Sequence, residues 1–132
     1  MIFLDTSGII AISDNKDLFY EKAFKWWNNN QQETLITSNL VILETLGWIR
    51  YKRGHKLAIK VGKHLLEGSG IQIERITEDD EQRSWQLFQT RTERGLSLID
   101  CTSAVLCKRR AIKNIFTFDT DFKNLGFILI PS

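Results

Sequence analysis

In the stretch MIFLDTS, residues 1–7, a short apolar run is followed directly by a carboxylate, Asp5. The run IFL (2–4) has the composition of a short strand buried on both faces. In open parallel sheets, ligands bind just beyond the carboxyl ends of the strands. An acid at that position is therefore a candidate functional group, and Asp5 is the first candidate site residue.

Short apolar segments alternate with longer helical patterns along the rest of the chain. This alternation predicts an α/β domain whose central sheet is mainly parallel and flanked by helices, although the order of the strands stays open. A capping box at Thr77 and Asp80 predicts one helix start, and Ser38 or Asn39 is expected to cap another. The predicted strands are IFL (2–4), TLIT (34–37), IQIERI (71–76), IFTF (115–118) and FILI (127–130). The predicted helices cover about 15–30, 40–53 up to Gly54, 55–67 up to GSG (68–70), a segment after Thr77, and about 100–110.

Composition predicts one soluble domain over residues 1–132, with 42% hydrophobic and 26% charged residues. No apolar run approaches the roughly 20 residues of a membrane span, and the first residues lack a signal-peptide pattern, so we expect a cytoplasmic protein. Two cysteines, Cys101 and Cys107, and two histidines are too few to favour a zinc site.

Three further acids lie where packing alone does not call for a charge. Asp119 follows the IFTF segment, Glu44 is embedded in an apolar helix, and Asp100 follows Leu98 and Ile99. Each acid alone has a structural interpretation, as a loop-entry residue, an exposed helical position or a helix cap. Four such acids meeting by chance is far less expected, so we predict that they cluster with Asp5.

Clustered carboxylates repel one another unless some bind protons or a cation neutralises them. With so few histidines and cysteines, the fitting cation is hard and prefers oxygen ligands, as Mg²⁺ and Mn²⁺ do. Such an ion, held by carboxylates and water, is suited to orient a phosphate and activate a water molecule.

These motifs resemble a PIN domain, and in particular the VapC-type ribonuclease toxins of bacterial toxin–antitoxin pairs. The resemblance covers nearly the whole chain and rests on four motifs in order: MIFLDTS (1–7), TSNLVILETL (37–46), RGLSLIDCTSAVL (94–106) and FTFDTDFKNLGF (116–127).

The resemblance implies Mg²⁺-dependent hydrolysis of single-stranded RNA, with Mn²⁺ able to substitute. It also implies a homodimer, and an antitoxin whose tail covers the active site. The implied acidic quartet is Asp5, Glu44, Asp100 and Asp119, of which Asp5, Asp100 and Asp119 would bind the metal, Asp5 and Asp100 most directly. The implied supporting residues are Thr6, Thr117 and Asp121.

Two departures from the family pattern leave questions open. Some relatives carry an additional acid one turn after the third, but this chain has Ala104 there, which puts a second metal in doubt. Asp121 follows Asp119 closely, and we favour Asp119 as the fourth acid because it comes directly after the predicted strand.

A basic stretch, with no acid between Thr45 and Leu66, provides candidate RNA-binding residues. The spacing would align them on one face if the helix continued through Gly54. A solvated helix face is the alternative interpretation. The candidates are Arg53, Lys56, Lys60 and Lys63. We expect the four tryptophans in the core or at an interface rather than as base-stacking residues.

Other classes of protein also place acids at strand ends. A haloacid-dehalogenase-type phosphotransferase requires a second Asp two residues after the first, where this chain has Ser7. A signalling receiver domain requires an acidic pair near the first strand and a lysine after a late strand, which FTFDTDF lacks. An RNA-processing PIN nuclease outside a toxin–antitoxin pair and a catalytically silent RNA-binding domain remain alternatives.

Overall fold

The structure is a computed structural model, and it describes residues 1–68 and 70–132. The strands are β1 (Ile2–Leu4), β2 (Leu35–Ser38), β3 (Ile71–Glu74), β4 (Asn114–Phe116) and β5 (Ile128–Ile130). The helices are α1 (Thr6–Ser13), α2 (Tyr20–Asn29), α3 (Asn39–Arg53), α4 (His55–Gly62), α5 (Glu78–Thr90), α6 (Leu98–Arg109) and α7 (Asp121–Asn124), with a π-helical turn (Lys63–Glu67) continuing α4.

The strands form one five-stranded parallel sheet in the order β3-β2-β1-β4-β5. The chain moves outward from β1 to β3 and then returns to β4 on the other side of β1. Because parallel crossovers are right-handed, this reversal places helices on opposite faces of the sheet. The predicted α/β class, with helices flanking a parallel sheet, is confirmed.

Strand β1 is central, and its register joins two distant segments. Phe3 lies opposite Ile36 of β2 and Ile115 of β4. The carboxyl ends of β1 and β4 therefore meet at one edge of the sheet, and Asp5 donates its backbone N–H to Phe116 O at 3.1 Å. This edge is where the sequence placed its candidate site.

Helix α1 was not predicted from the sequence. Its residues TSGIIAIS lack an amphipathic pattern, and four consecutive residues are buried: Gly8, Ile9, Ile10 and Ala11. A Cβ at Gly8 would lie 2.4 Å from the carbonyl oxygen of Phe116, so glycine allows α1 to pack directly against β4. A helix buried around much of its circumference carries little periodic signal.

Several predicted boundaries were wrong. The helix predicted over 15–30 begins at Tyr20, and the strand predicted over 115–118 ends at Phe116. The strand predicted over 71–76 ends at Glu74, since Ile76 donates its backbone N–H to the Asn39 side chain at 2.8 Å. The helix predicted from Asp100 begins at Leu98. The predicted break at GSG (68–70) includes Ser69, which lies outside the described residues.

The predicted helix caps are confirmed. Ser38 accepts a hydrogen bond from Val41 N at 3.1 Å and caps α3, and Thr77 with Asp80 forms the capping box of α5. Gly54, at φ +98°, separates α3 from α4 in a conformation that favours glycine.

An ion-pair cluster joins helices α5 and α6 to strand β3. The Arg109 guanidinium on α6 donates two hydrogen bonds, of 2.9 and 2.8 Å, to Asp80 of α5, and approaches Glu74 of β3 at 2.9 Å. Burial raises the pKa of Asp80, but the hydrogen bonds from Arg109 and Thr77 and the charge of Arg109 together outweigh this effect and hold the pKa below its usual range. Among the described residues, no helix is both long and apolar enough to cross a membrane.

Candidate active site

Asp5 is buried at the end of β1, only 2% exposed. Its Oδ2 accepts hydrogen bonds from the hydroxyls of Thr117 at 2.8 Å and Ser7 at 3.1 Å. Its Oδ1 is also buried and has no hydrogen-bond partner. Burial raises the pKa of Asp5 to about 6; the two hydroxyls oppose this rise, and the charge of Asp119 adds to it. One carboxylate oxygen thus accepts two hydrogen bonds from side chains, and the other is buried without a hydrogen-bond partner.

Asp100 lies in the first turn of α6, where it also takes part in a capping box. Its Oδ2 accepts from Ser97 N at 2.9 Å, and its own N–H donates to the Ser97 hydroxyl at 3.0 Å. Burial raises the pKa of Asp100 to about 7, and the charges of Asp5 and Asp119 add to the rise. Asp100 therefore completes the capping box of α6, and its pKa is raised by the charges of the neighbouring acids.

Asp119 follows β4 by three residues and is half-buried. Its Oδ1 accepts from Asp121 N at 3.0 Å, and its own N–H donates to the Thr117 hydroxyl at 3.0 Å. Burial raises the pKa of Asp119, and the charge of Asp121 adds to this rise. Because the charge of Asp119 raises the pKa of both Asp5 and Asp100, Asp119 belongs electrostatically to the same cluster.

Glu44 projects from α3 and is tied to the site through a hydroxyl. The Thr6 side chain, at the start of α1, donates to Glu44 Oε1 at 2.6 Å. Thr6 directly follows Asp5, so this hydrogen bond links the second acid of the predicted quartet to the residue beside the first. Glu44 is half-buried at this position.

Ser7 is a site residue that the sequence analysis did not select. Its hydroxyl oxygen lies 3.1 Å from Asp5 Oδ2 and 3.0 Å from Thr117 Oγ1, and accepts from Phe118 N at 2.9 Å. A hydroxyl two residues after a strand-ending acid was the available signal, because that short spacing lets a side chain turn back to the carboxylate.

The chemistry of these donors fits a hard divalent cation. An unpartnered buried oxygen on Asp5 and raised pKa values on three neighbouring acids are both features that a cation would relieve. Across residues 1–68 and 70–132, no three Asp, Glu, His or Cys side chains form a group that could hold a metal ion. The arrangement therefore fits an ion bound by one or two carboxylates and completed by water, as Mg²⁺ commonly is.

The candidate RNA-binding residues are divided by Gly54. Arg53, at the end of α3, pairs with the buried Asp14 at 2.7 Å. Lys56 and Lys60 are on α4, and Lys63 begins the π-helical turn. Lys60 lines a groove of about 750 Å³ beside the apolar side chains of α1 and α2. RNA binding by these four residues stays a prediction.

The tryptophans fall into two groups. Trp26, Trp27 and Trp48 pack partly buried against the core, as expected. Trp85 on α5 is 53% exposed and stacks near Phe88, with ring centroids 5.9 Å apart. Trp85 is therefore not a core residue.

Comparison with known proteins assigns the fold to a family. The family model described as PIN domain matches residues 2–128. The chain belongs to the PIN domain family. This PIN domain is 30% identical, over 97% of its length and 96% of the relative, to the 23S rRNA-specific endonuclease VapC20 of Mycobacterium tuberculosis. The resemblance inferred from the four motifs is thus confirmed.

Solved structures agree with this assignment. The crystal structure of M. tuberculosis VapC20, described as a sarcin-ricin loop cleaving toxin, superposes with a TM-score of 0.90 at 28% identity and 97% coverage of both chains. The structure of FitAcB from Neisseria gonorrhoeae superposes with a TM-score of 0.68 at 18% identity, covering 98% of this chain and 96% of that chain. The second match shows the shared fold alone.

Proposed function

We propose that this PIN domain is a metal-dependent endoribonuclease that hydrolyses phosphodiester bonds of single-stranded RNA. The observation that carries the proposal is the burial of Asp5 beside the charges of Asp100 and Asp119, with Asp5 Oδ1 left unpartnered. Like charges held together out of water destabilise a fold. Such an arrangement is typical of a site where a cation and a phosphate bind.

Mg²⁺ is the proposed cofactor, and Mn²⁺ substitutes for it in this proposal. Asp5 and Asp100 would hold it directly, and Asp119 would contribute through a water molecule of the ion. When bound, a divalent cation polarises a phosphoryl oxygen and lowers the pKa of a bound water molecule. The presence of Ala104 one turn after Asp100 leaves a single ion as the simpler proposal.

The remaining residues prepare the acids for this role. Thr117 and Ser7 donate to Asp5 and favour its ionised form, against the effect of burial. The backbone N–H of Asp121 holds Asp119, which gives Asp121 a supporting role and leaves Asp119 as the proposed fourth acid. Thr6 orients Glu44, which we propose positions an attacking water.

The relatives suggest a substrate and a biological setting. VapC20 is described as specific for 23S rRNA and as cleaving the sarcin-ricin loop. We propose that the present chain is likewise a toxin that acts on RNA in the cytoplasm and is neutralised by an antitoxin protein, and that it forms a homodimer. An RNA-processing PIN nuclease outside such a pair and a silent RNA-binding domain are the alternatives.

Cleavage of a labelled RNA that carries the sarcin-ricin loop tests the enzymatic proposal. We expect cleavage with Mg²⁺ or Mn²⁺, none with excess chelator, and none by Asp5→Asn or Asp100→Asn proteins that still fold. Full activity in chelator would refute metal dependence. Binding without cleavage by the parent protein would favour the silent RNA-binding alternative.

The toxin assignment needs a separate experiment. Induced expression of the parent in bacteria should arrest growth, expression of Asp100→Asn should not, and co-expression of a neighbouring gene product should restore growth. Harmless expression of an active nuclease would favour the RNA-processing alternative.

A further inference from the structure

Two phenylalanines form a stacked pair, and one of them belongs to the segment that carries Thr117 and Asp119. The rings of Phe19 and Phe118 have centroids 4.5 Å apart and planes only 7° from parallel. Phe118 lies in the chain between Thr117, which donates to Asp5, and Asp119. Its backbone N–H donates to the Ser7 hydroxyl at 2.9 Å, and that hydroxyl donates to Asp5. The backbone of Phe118 is thus fixed relative to Asp5 through Thr117 and Ser7, and relative to Asp119 through the chain.

Contacts with the core and a backbone hydrogen bond hold the pair in place. Phe118 meets the fully buried Phe116 edge to face, with centroids 6.0 Å apart and planes at 81°, and Phe116 contacts Trp26 at 4.8 Å. Phe19 is fixed through its backbone, since its N–H donates to Asp17 Oδ1 at 2.8 Å. An aromatic row therefore runs from the core to the surface at the site.

The outer ring remains accessible. Phe19 is 41% exposed, although it stacks on Phe118. Leaving a large aromatic ring in water forgoes the free energy of burying it. A flat, exposed aromatic surface stacked on Phe118, the residue between Thr117 and Asp119, matches the chemistry of unpaired nucleobases, which stack on such rings in single-stranded RNA complexes.

We propose that Phe19 and Phe118 form a stacking platform for one unpaired base of the RNA, adjacent to the scissile phosphate. This inference rests on the proposed ribonuclease function and names a base-binding subsite for it. Stacking tolerates any base, so the platform would fix the register of the strand on the acids rather than select a sequence.

A protein partner is the competing occupant, and the placement of the pair favours RNA. The large apolar groove beside α1 and α2 is lined by the neighbouring aromatics Tyr20, Phe24 and Trp27, and not by Phe19 or Phe118. Phe118 instead lies between Thr117 and Asp119, and Phe19 stacks on it. If the acids bind a phosphate of the RNA, a base attached to that phosphate is the ligand that we expect to stack on Phe19.

The test measures RNA binding by Phe19 variants in the Asp100→Asn background, where turnover is absent. A labelled single-stranded RNA oligonucleotide is titrated, and a second set of oligonucleotides carries one abasic nucleotide at successive positions around the cleavage site. Phe19→Ala should weaken binding about 5- to 150-fold, the loss seen when an aromatic that stacks one base is truncated. Phe19→Tyr should bind like the parent.

The abasic series gives the sharper result. In the protein that carries only Asp100→Asn, one abasic position should weaken RNA binding by about the same factor as Phe19→Ala does. The same abasic position should have no further effect when Phe19→Ala is also present, since the two changes remove the same contact. Phe88→Ala is the matched control, because Phe88 is 38% exposed and stacks on Trp85 within α5, a helix that carries none of the four candidate acids. It should leave RNA affinity unchanged.

The outcomes separate the platform from the proposed function. If the parent cleaves RNA with Mg²⁺ but folded Phe19→Ala and Phe19→Leu proteins bind RNA as the parent does, the platform is overturned and the ribonuclease stands. Unchanged RNA affinity together with an altered oligomeric state in size-exclusion chromatography would assign the pair to a protein contact and also overturn the platform. If the parent shows no cleavage of any RNA, the proposed function itself fails.

Discussion

The Thr117 hydroxyl donates to the Asp5 carboxylate over 2.8 Å and joins two chain segments 112 residues apart. Thr117 follows β4 and Asp5 follows β1, so this hydrogen bond spans the two neighbouring strands that carry the site. It also opposes the effect of burial on the charge of Asp5. The hydrogen bond therefore lowers the pH at which Asp5 ionises and becomes available to a cation.

Replacing Thr117 by Val should shift the pH dependence of cleavage. Without the hydroxyl, the pKa of Asp5 should rise above its present value of about 6, because a hydrogen bond to the ionised form is lost. The rising limb of the pH–activity profile should move to higher pH, with activity at pH 7 about 2- to 15-fold lower, because a hydrogen bond to a charged group contributes about 1.5–3 kcal/mol. Thr117→Ser keeps the hydroxyl and should retain the parent profile; an unshifted Thr117→Val profile would contradict the assigned role.

Replacing Asp100 by Asn should stabilise the metal-free protein. The folded pKa of Asp100, about 7, is above its ordinary value of 3.8, so the protonated acid favours folding. This contribution is complete below about pH 4 and is lost as pH rises towards 7. At pH 8 in chelator, Asp100→Asn should therefore melt higher than the parent, while the Asn carbonyl can still accept from Ser97 N.

Mg²⁺ should raise the melting temperature of the parent more than that of Asp100→Asn. A ligand at about 100 times its dissociation constant adds about 2.7 kcal/mol to the free energy of unfolding. Thermal melts of both proteins, with metal and with chelator, give the comparison. A lower melting temperature for Asp100→Asn in chelator, with an equal gain from Mg²⁺, would leave Asp100 with the capping role alone.

Replacing Glu44 by Gln should reduce cleavage about 10- to 100-fold without changing stability. The Gln side chain can still accept the Thr6 hydrogen bond, so only the negative charge is lost. Thermal melts should agree within about 2 °C, a difference that corresponds to well under 1 kcal/mol. Asp79→Asn, which changes an exposed acid on α5, should keep full activity. Equal activity of Glu44→Gln and the parent would remove Glu44 from the quartet.

Replacing Arg109 by Met should destabilise the fold and leave the chemistry intact. Asp80 is fully buried, and loss of Arg109 removes two of its hydrogen bonds. We expect a loss of about 1–2 kcal/mol in the free energy of unfolding, less than for a fully buried pair because the Arg109 side chain is 38% exposed. Denaturant unfolding measures this loss, and Arg83→Met, which breaks an exposed pair, should leave the midpoint unchanged. Equal midpoints for all three proteins would show that the buried pair adds nothing.

Local sequence patterns were sufficient for the fold class and for the choice of the candidate acids. Apolar runs such as IFL and TLIT predict strands because consecutive apolar side chains suit a sheet covered on both faces. Asp5 and Asp119 were recognised because each follows such a run. Thr77 and Ser38 were recognised as caps because capping depends on side chains within three residues of the helix start.

Boundaries and some elements were determined by contacts that no local pattern encodes. Helix α1 begins at Thr6, immediately after Asp5, because Gly8 allows it to lie against Phe116, a residue far along the chain. Strand β4 ends at Phe116, two residues before its apolar pattern does, and Phe118 stacks on Phe19 instead. Long-range packing decided both cases.

The roles of the site residues divide in the same way. The sequence by itself determined which residues carry negative charge and that Asp5 and Asp119 follow strands, because charge and strand propensity belong to each segment. Only the tertiary structure decided which oxygen of Asp5 is held and which is free. Only it showed that Ser7 joins the site, that Asp100 also caps α6, and that Arg53 is paired with Asp14. The physical reason is that burial, hydrogen bonding and charge repulsion depend on distances between residues that the fold brings together.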